Sequence, residues 1–141
     1  MDAIEPNRKA VGAFTHVFKN EHNVDSIDHL FVRDFTRHFA PPIAPGLEGF
    51  KQVGRMMNHA FPEVVVTEED LIANADTVVE RNSAATHKGA YMGTPPTGRR
   101  IRWTESHIYR LVDGKIAAHR VELSMLQLPP QIGAILLRPA Q

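Results

Sequence analysis

Carboxylates and imidazoles are the side chains best suited to moving protons near neutral pH. Glu105, His107 and His119 fall in one segment, RRIRWTESHIYRLVDGKIAAHRVEL, on either side of Asp113-Gly114. The apolar residues around them alternate with polar ones, as in two strands joined by a tight turn. In the first strand the odd positions Ile101, Trp103, Tyr109 and Leu111 are bulky and apolar. In the second, Ala117, Val121 and Leu123 are apolar against Arg120, Glu122 and Ser124. Odd positions must therefore share a face, because a slip of one residue would turn every side chain of a strand over.

Two turns fit Asp113-Gly114. A two-residue loop sets Val112 against Lys115 and His107 against Arg120, whereas a three-residue loop with a left-handed Gly114 sets His107 against His119 and Glu105 against Val121. The apolar pattern favours the second. The hairpin is then expected to gather Glu105, His107 and His119 on one apolar face walled by Trp103, Tyr109, Val121 and Leu123, the mixture expected of a small-molecule site. Burial is expected to raise the pKa of Glu105, with the neighbouring histidines tuning it, and to suit it to general acid/base work. A single strand histidine is more often a satisfied core residue, but an unpartnered Glu on the same face would be costly, so this face must pair its polar groups or stay wet. Two His and one carboxylate are also the donors of some non-haem metal sites. Their confinement to two adjacent strands disfavours that reading.

The elements that position this hairpin follow from periodicity. Ala10, Val11, Phe14, Val17 and Phe18 mark an amphipathic helix begun near Pro6. Asp25 suits the cap of a short second helix burying Ile27, Leu30 and Phe31. Residues 35–46 carry three prolines and read as extended loop. Phe50, Val53, Met57, Ala60 and Phe61 mark a third helix, stopped by Pro62. Residues 64–73 and 77–87 read as a strand pair across Asn74-Ala75-Asp76, and residues 89–98 as a loop. Helices followed by strands argue for one α+β domain over residues 1–141, with an apolar tail at 126–141 that packs across the domain or a partner.

Composition narrows the partners. Sixteen basic residues balance sixteen acidic ones in 141, which argues against nucleic acid. No apolar run is long enough to span a membrane, and the N-terminus has no signal-peptide pattern, so a cytoplasmic setting is expected. Without cysteine there is no thiolate nucleophile or zinc-thiolate site.

The stretch from AFPEVVV to LVDGKI resembles the SnoaL-like polyketide cyclases, or ester cyclases, of the nuclear transport factor 2-like superfamily. The resemblance rests on GTPPTGRR before a strand with Trp103 and Tyr109, the DGKI hairpin, the AFP end of the third helix and DFTRH at residues 34–38, and covers about residues 7–133. It implies a cone in which three N-terminal helices pack on a curved antiparallel sheet, commonly as a homodimer. It also implies cofactor-independent and metal-independent aldol cyclisation or isomerisation of a hydrophobic carbonyl compound. By the same resemblance His107 matches a substrate-contacting His, and His38 and His87 fall at family positions, where His38 would sit at the mouth of the cone. Relatives commonly carry a proton-handling Asp in a motif like H-W-D, but this chain reads His119-Arg120-Val121. Glu105, assisted by His107 and His119, is the expected replacement. The alternative is a non-catalytic ligand-binding or dimeric scaffold that lost the Asp at Val121. Arg81, an arginine in a strand, is expected to need a carboxylate partner.

Overall fold

The computed structural model describes residues 3–38, 44–82, 85–90, 93–123, 131 and 133, with side chains at all of these except 38, 80–82, 85, 86 and 123. Helix α1 spans Ile4–Phe14 and continues into a π-helical segment, Thr15–Asn20. Glu21 N–H donates to His16 O at 2.9 Å, a five-residue bond in place of the usual four. Helix α2 spans Gly46–Ala60. Both helices turn the expected apolar stripe inward, with Val11, Phe14, Phe18, Phe50 and Ala60 buried.

The short second helix expected after Asp25 does not form, so among the described residues two of the three expected helices are present. Asp28–Leu30 makes a single 3-10 turn, and strand β1, Phe31–His38, follows at once. Asp25 caps nothing there and pairs with Arg55 at 2.8 Å. Ile27, Leu30 and Phe31 fit a helical stripe, but Phe31 and Phe35 bury on the sheet from extended backbone. Part of the proline-rich segment is therefore strand. Residues 39–43 lie outside the described residues.

Strands β2 (Glu68–Ala73), β3 (Thr77–Asn82), β6 (Glu105–Val112) and β7 (Lys115–Leu123) join β1 in a five-stranded sheet of order β1-β7-β6-β3-β2. The short strands β4 (Ala85–Thr86) and β5 (Arg100–Ile101) pair separately. β1 runs parallel to β7, so the curved sheet is mixed rather than antiparallel throughout. The main core lies between this sheet and the helices, where Phe14, Phe18, Phe31, Phe35 and Phe50 form a continuous set of ring contacts 4.8–6.0 Å apart. A second cluster joins Ala60, Phe61, Ile101 and Trp103. The tail has only Gln131 and Gly133 among the described residues. The Gln131 side chain bonds both backbone groups of Arg102.

The last hairpin departs from the expected register. Asp113 and Gly114 both have positive φ, 50° and 75°, and Val112 pairs with Lys115. This is the two-residue turn that Asp-Gly favours. The ladder then shifts between Arg110 and Leu111, leaving Ala117 without an opposite residue, and beyond the bulge Tyr109 faces His119, His107 faces Val121 and Glu105 faces Leu123. One extra residue on β7 therefore reconciles the tight turn with the apolar pattern. Odd residues share a face as expected, but each partner lies two residues from its expected place. The bulge also explains why Ile116, an even residue, is buried on the same side as His119.

Candidate active site

Trp103, Glu105, His107 and His119 form one hydrogen-bonded chain. Trp103 Nε1–H donates to Glu105 Oε1 at 2.6 Å, and the other carboxylate oxygen lies 2.6 Å from His107 Nε2. His107 Nδ1 lies 2.9 Å from His119 Nε2. Strand geometry builds this line. Glu105 and His107 are two residues apart on one face of β6, and His119 lies diagonally across on β7, within reach of a long side chain.

The chain runs from a slightly open end into the core. Side-chain exposure is 12% for Glu105 and 6% for His107, and His119 as a residue is 2% exposed. The rings of Phe50 and Tyr109 each lie 5.0 Å from that of His119, and His107 stacks on His119 at 5.2 Å. His119 Nδ1 is buried and has no hydrogen-bond partner among the described residues.

Electrostatics separates the two ends. Burial pushes the Glu105 carboxyl up, but the His107 hydrogen bond and charge, the charge of Lys19 and the Trp103 hydrogen bond together hold it at about 2, below its ordinary 4.5. The expected raised pKa is thus corrected. Burial acts in the expected direction, but two donors aimed at the carboxylate favour its charged form and outweigh it. His119 moves the other way relative to ionisation. Burial first, then the charges of His107, Lys19 and Arg37, push its pKa well below 6.5 and keep the ring neutral. A fixed anion at one end and a neutral imidazole at the other can carry a proton between them.

A family model for SnoaL-like polyketide cyclases matches residues 8–132. The chain belongs to the SnoaL-like polyketide cyclase family. Among curated relatives it is 35% identical over 81 residues to aklanonic acid methyl ester cyclase DnrD of Streptomyces peucetius, a match spanning 56% of each chain. Among solved structures it is similar to TsrD from Streptomyces laurentii, with a TM-score of 0.83 and 25% identity over 93% of this chain and 97% of the other. It is also similar to IdmH, a candidate polyketide cyclase from Streptomyces antibioticus, with a TM-score of 0.77 and 26% identity over 91% and 99% of the two chains.

The SnoaL-like fold brings together Trp103, Glu105, His107, Tyr109 and His119, with half-buried Val121 opposite His107. The side chains of His38, Leu123 and Arg81 are outside the described residues. Trp103, expected as an apolar wall, is also the donor that fixes Glu105. His87 anchors a loop. Thr97 N–H donates to its Nδ1 at 3.2 Å, with Thr97 Oγ1 at 3.0 Å, which leaves the ring proton on buried Nε2. Three contributors escape the strand pattern: Lys19 and Arg37, whose charges act on His119, and Phe50, which covers its ring. They arrive from the π-helical segment, β1 and α2, and no spacing in the sequence links them to the hairpin. Among the described residues no group of three His, Asp or Glu side chains is arranged to hold a metal ion.

Proposed function

We propose that this protein is a cyclase-type enzyme using general acid/base chemistry, without metal or organic cofactor, on a hydrophobic carbonyl compound held in a cone-shaped cavity. Glu105, His107 and His119 form the catalytic unit, with Trp103, Tyr109, Val121, Leu123 and His38 on the substrate side. The observation that carries this reading is the hydrogen-bonded chain itself. Two imidazoles and a carboxylate, buried among aromatic rings, can take a proton from carbon next to a carbonyl and return it to oxygen. In an aldol cyclisation that proton leaves the α-carbon, and the resulting enolate carbon bonds to a second carbonyl carbon of the same molecule. The electrons displaced onto oxygen are then protonated, so the product has the mass of the substrate.

Aklanonic acid methyl ester, named for the Streptomyces peucetius relative, is the first compound to test, beside simpler aryl β-keto methyl esters. In ordinary water the expected result is an isomer of unchanged composition, and in deuterated water deuterium entering the α-carbon faster than without protein. Ligand binding with neither outcome would instead support the scaffold reading, for which Val121 in place of a proton-handling Asp is the specific observation.

We further propose that the protein works as a homodimer in the cytoplasm. Ile72, Val79 and Ile108 stand in register across β2, β3 and β6, and Ile72 and Ile108 are exposed, an apolar row suited to a partner sheet. Ile108→Arg is expected to shift sedimentation from dimer to monomer. A wild-type chain that sediments as a monomer would refute this.

A further inference from the structure

We infer that His119 Nδ1 is the atom that exchanges a proton with the substrate, while His107 stores that proton and Glu105 positions and balances it. This assignment rests on the acid/base reading above and goes beyond it in saying which end of the chain works. Its basis is the occupancy of each polar atom. Both Glu105 oxygens are engaged, one by Trp103 and one by His107. His107 uses Nε2 toward Glu105 and Nδ1 toward His119. His119 uses Nε2 toward His107, and its Nδ1 is buried without a partner among the described residues. A buried polar atom left unsatisfied is costly, and a ligand group there would remove that cost.

The chain has two consistent proton arrangements. In the first, His107 is neutral and donates Nε2–H to Glu105, His119 donates Nε2–H to His107 Nδ1, and His119 Nδ1 carries a bare lone pair. In the second, His107 carries both protons and donates Nδ1–H to His119 Nε2, so the one proton of His119 sits on buried Nδ1. One proton converts one into the other. When Nδ1 takes a proton from a substrate carbon, the Nε2 proton of His119 passes to His107 and the substrate keeps the C–H electron pair. The reverse transfer protonates the product oxygen. At no point does His119 hold two protons.

The groups that face this ring suit such a path. His107, with Glu105 behind it, and Tyr109 approach from β6, Arg37 from β1, Lys19 from the π-helical segment and Phe50 from α2. The positive charges of Lys19 and Arg37 oppose charge on His119, and the adjacent carboxylate favours it on His107. Proton storage is thereby moved one ring away from the exchange atom.

The test is nitrogen NMR of the histidine rings in the labelled full chain, titrated across the pH range in which it stays folded. The expected result is a tautomer exchange at His119, from Nδ1–H on the acid side to Nε2–H on the alkaline side. His107 should keep Nε2–H throughout and gain Nδ1–H only in acid. His119 holding both protons, or keeping one tautomer throughout, would overturn the assignment. The second arm is deuterium exchange by His119→Gln, which keeps a polar group at the Nε2 position and has no base at Nδ1. Its rate is expected to fall about 100- to 10,000-fold. Equal exchange by wild type and His119→Gln overturns the exchange atom alone, whereas an inert wild type overturns the acid/base reading itself. If His119→Gln fails to fold, the wild-type titration still decides.

Discussion

Glu105→Gln is expected to lower kcat about 100- to 10,000-fold while leaving KM nearly unchanged. The carboxylate accepts from two donors, Trp103 Nε1–H and His107 Nε2–H. A carboxamide offers one oxygen and one NH2 group, so it cannot accept from both. With its oxygen toward Trp103, its amide meets His107 Nε2 and forces the His107 proton onto Nδ1. His119 Nε2 must then accept, and its only proton moves to Nδ1, which can no longer take one from the substrate. With its oxygen toward His107, the amide faces the indole N–H and one buried donor is orphaned. Either outcome removes the negative charge that supports a doubly protonated His107. Because Glu105 acts through His107, the loss should fall on kcat. Glu105→Asp, which keeps the charge on a shorter stem, should restore part of the rate. Wild-type kcat in Glu105→Gln would sink the relay, and a loss confined to KM would mean that Glu105 binds substrate directly.

The hairpin shows how far the sequence could be read. Odd-numbered Glu105, His107, Tyr109 and His119 were assignable to one face from apolar alternation alone, and the structure brings them together. Which residue opposes which was not legible. Asp113-Gly114 argued for a two-residue turn and the apolar pattern for an odd-with-odd register, and a plain ladder cannot satisfy both. The chain satisfies both with a bulge at Ala117, itself one of the apolar residues on which the odd-numbered pattern rested. Helix α2 was legible because Phe50, Val53, Met57 and Ala60 repeat over several turns before Pro62. Strand β1 was not, because Ile27, Leu30 and Phe31 are too few to separate a helical stripe from a strand entrance.

Val121 is the point at which family pattern and local chemistry diverge. It faces His107, so a carboxylate there would approach the same imidazole from the neighbouring strand. Glu105 reaches that imidazole along β6. The anion thus moves from across the ladder to along it, with Trp103 supplying a second donor. A carboxylate so held is a poor base, which is why the proposed relay gives the basic function to His119. In the proposed relay the family's fold is kept while the proton path runs through different atoms.

Stability is expected to fall in two stages as pH drops, and Glu105→Gln is expected to erase the lower one. An unfolded His119 takes up a proton near 6.5, whereas the folded ring, with its pKa pushed well below 6.5, does not. The unfolded state therefore binds more protons, and stability declines as pH falls below 6.5 toward the folded value. Glu105 adds the second stage. Its folded pKa of about 2 lies below the unfolded 4.5, so its contribution is complete above 4.5 and is lost as pH falls through about 2. At about 1.4 kcal/mol for each pH unit between those values, this one carboxylate, nine-tenths buried, contributes roughly 3 kcal/mol. Urea unfolding across this range checks both stages. The wild type should exceed Glu105→Gln by roughly 3 kcal/mol at neutral pH, and the two curves should converge near pH 2. Parallel curves at every pH would mean that the Glu105 carboxylate is not held below its ordinary range. Convergence already complete at 4.5 would place the linkage on other groups, because there the wild-type carboxylate is still ionised and paired with His107.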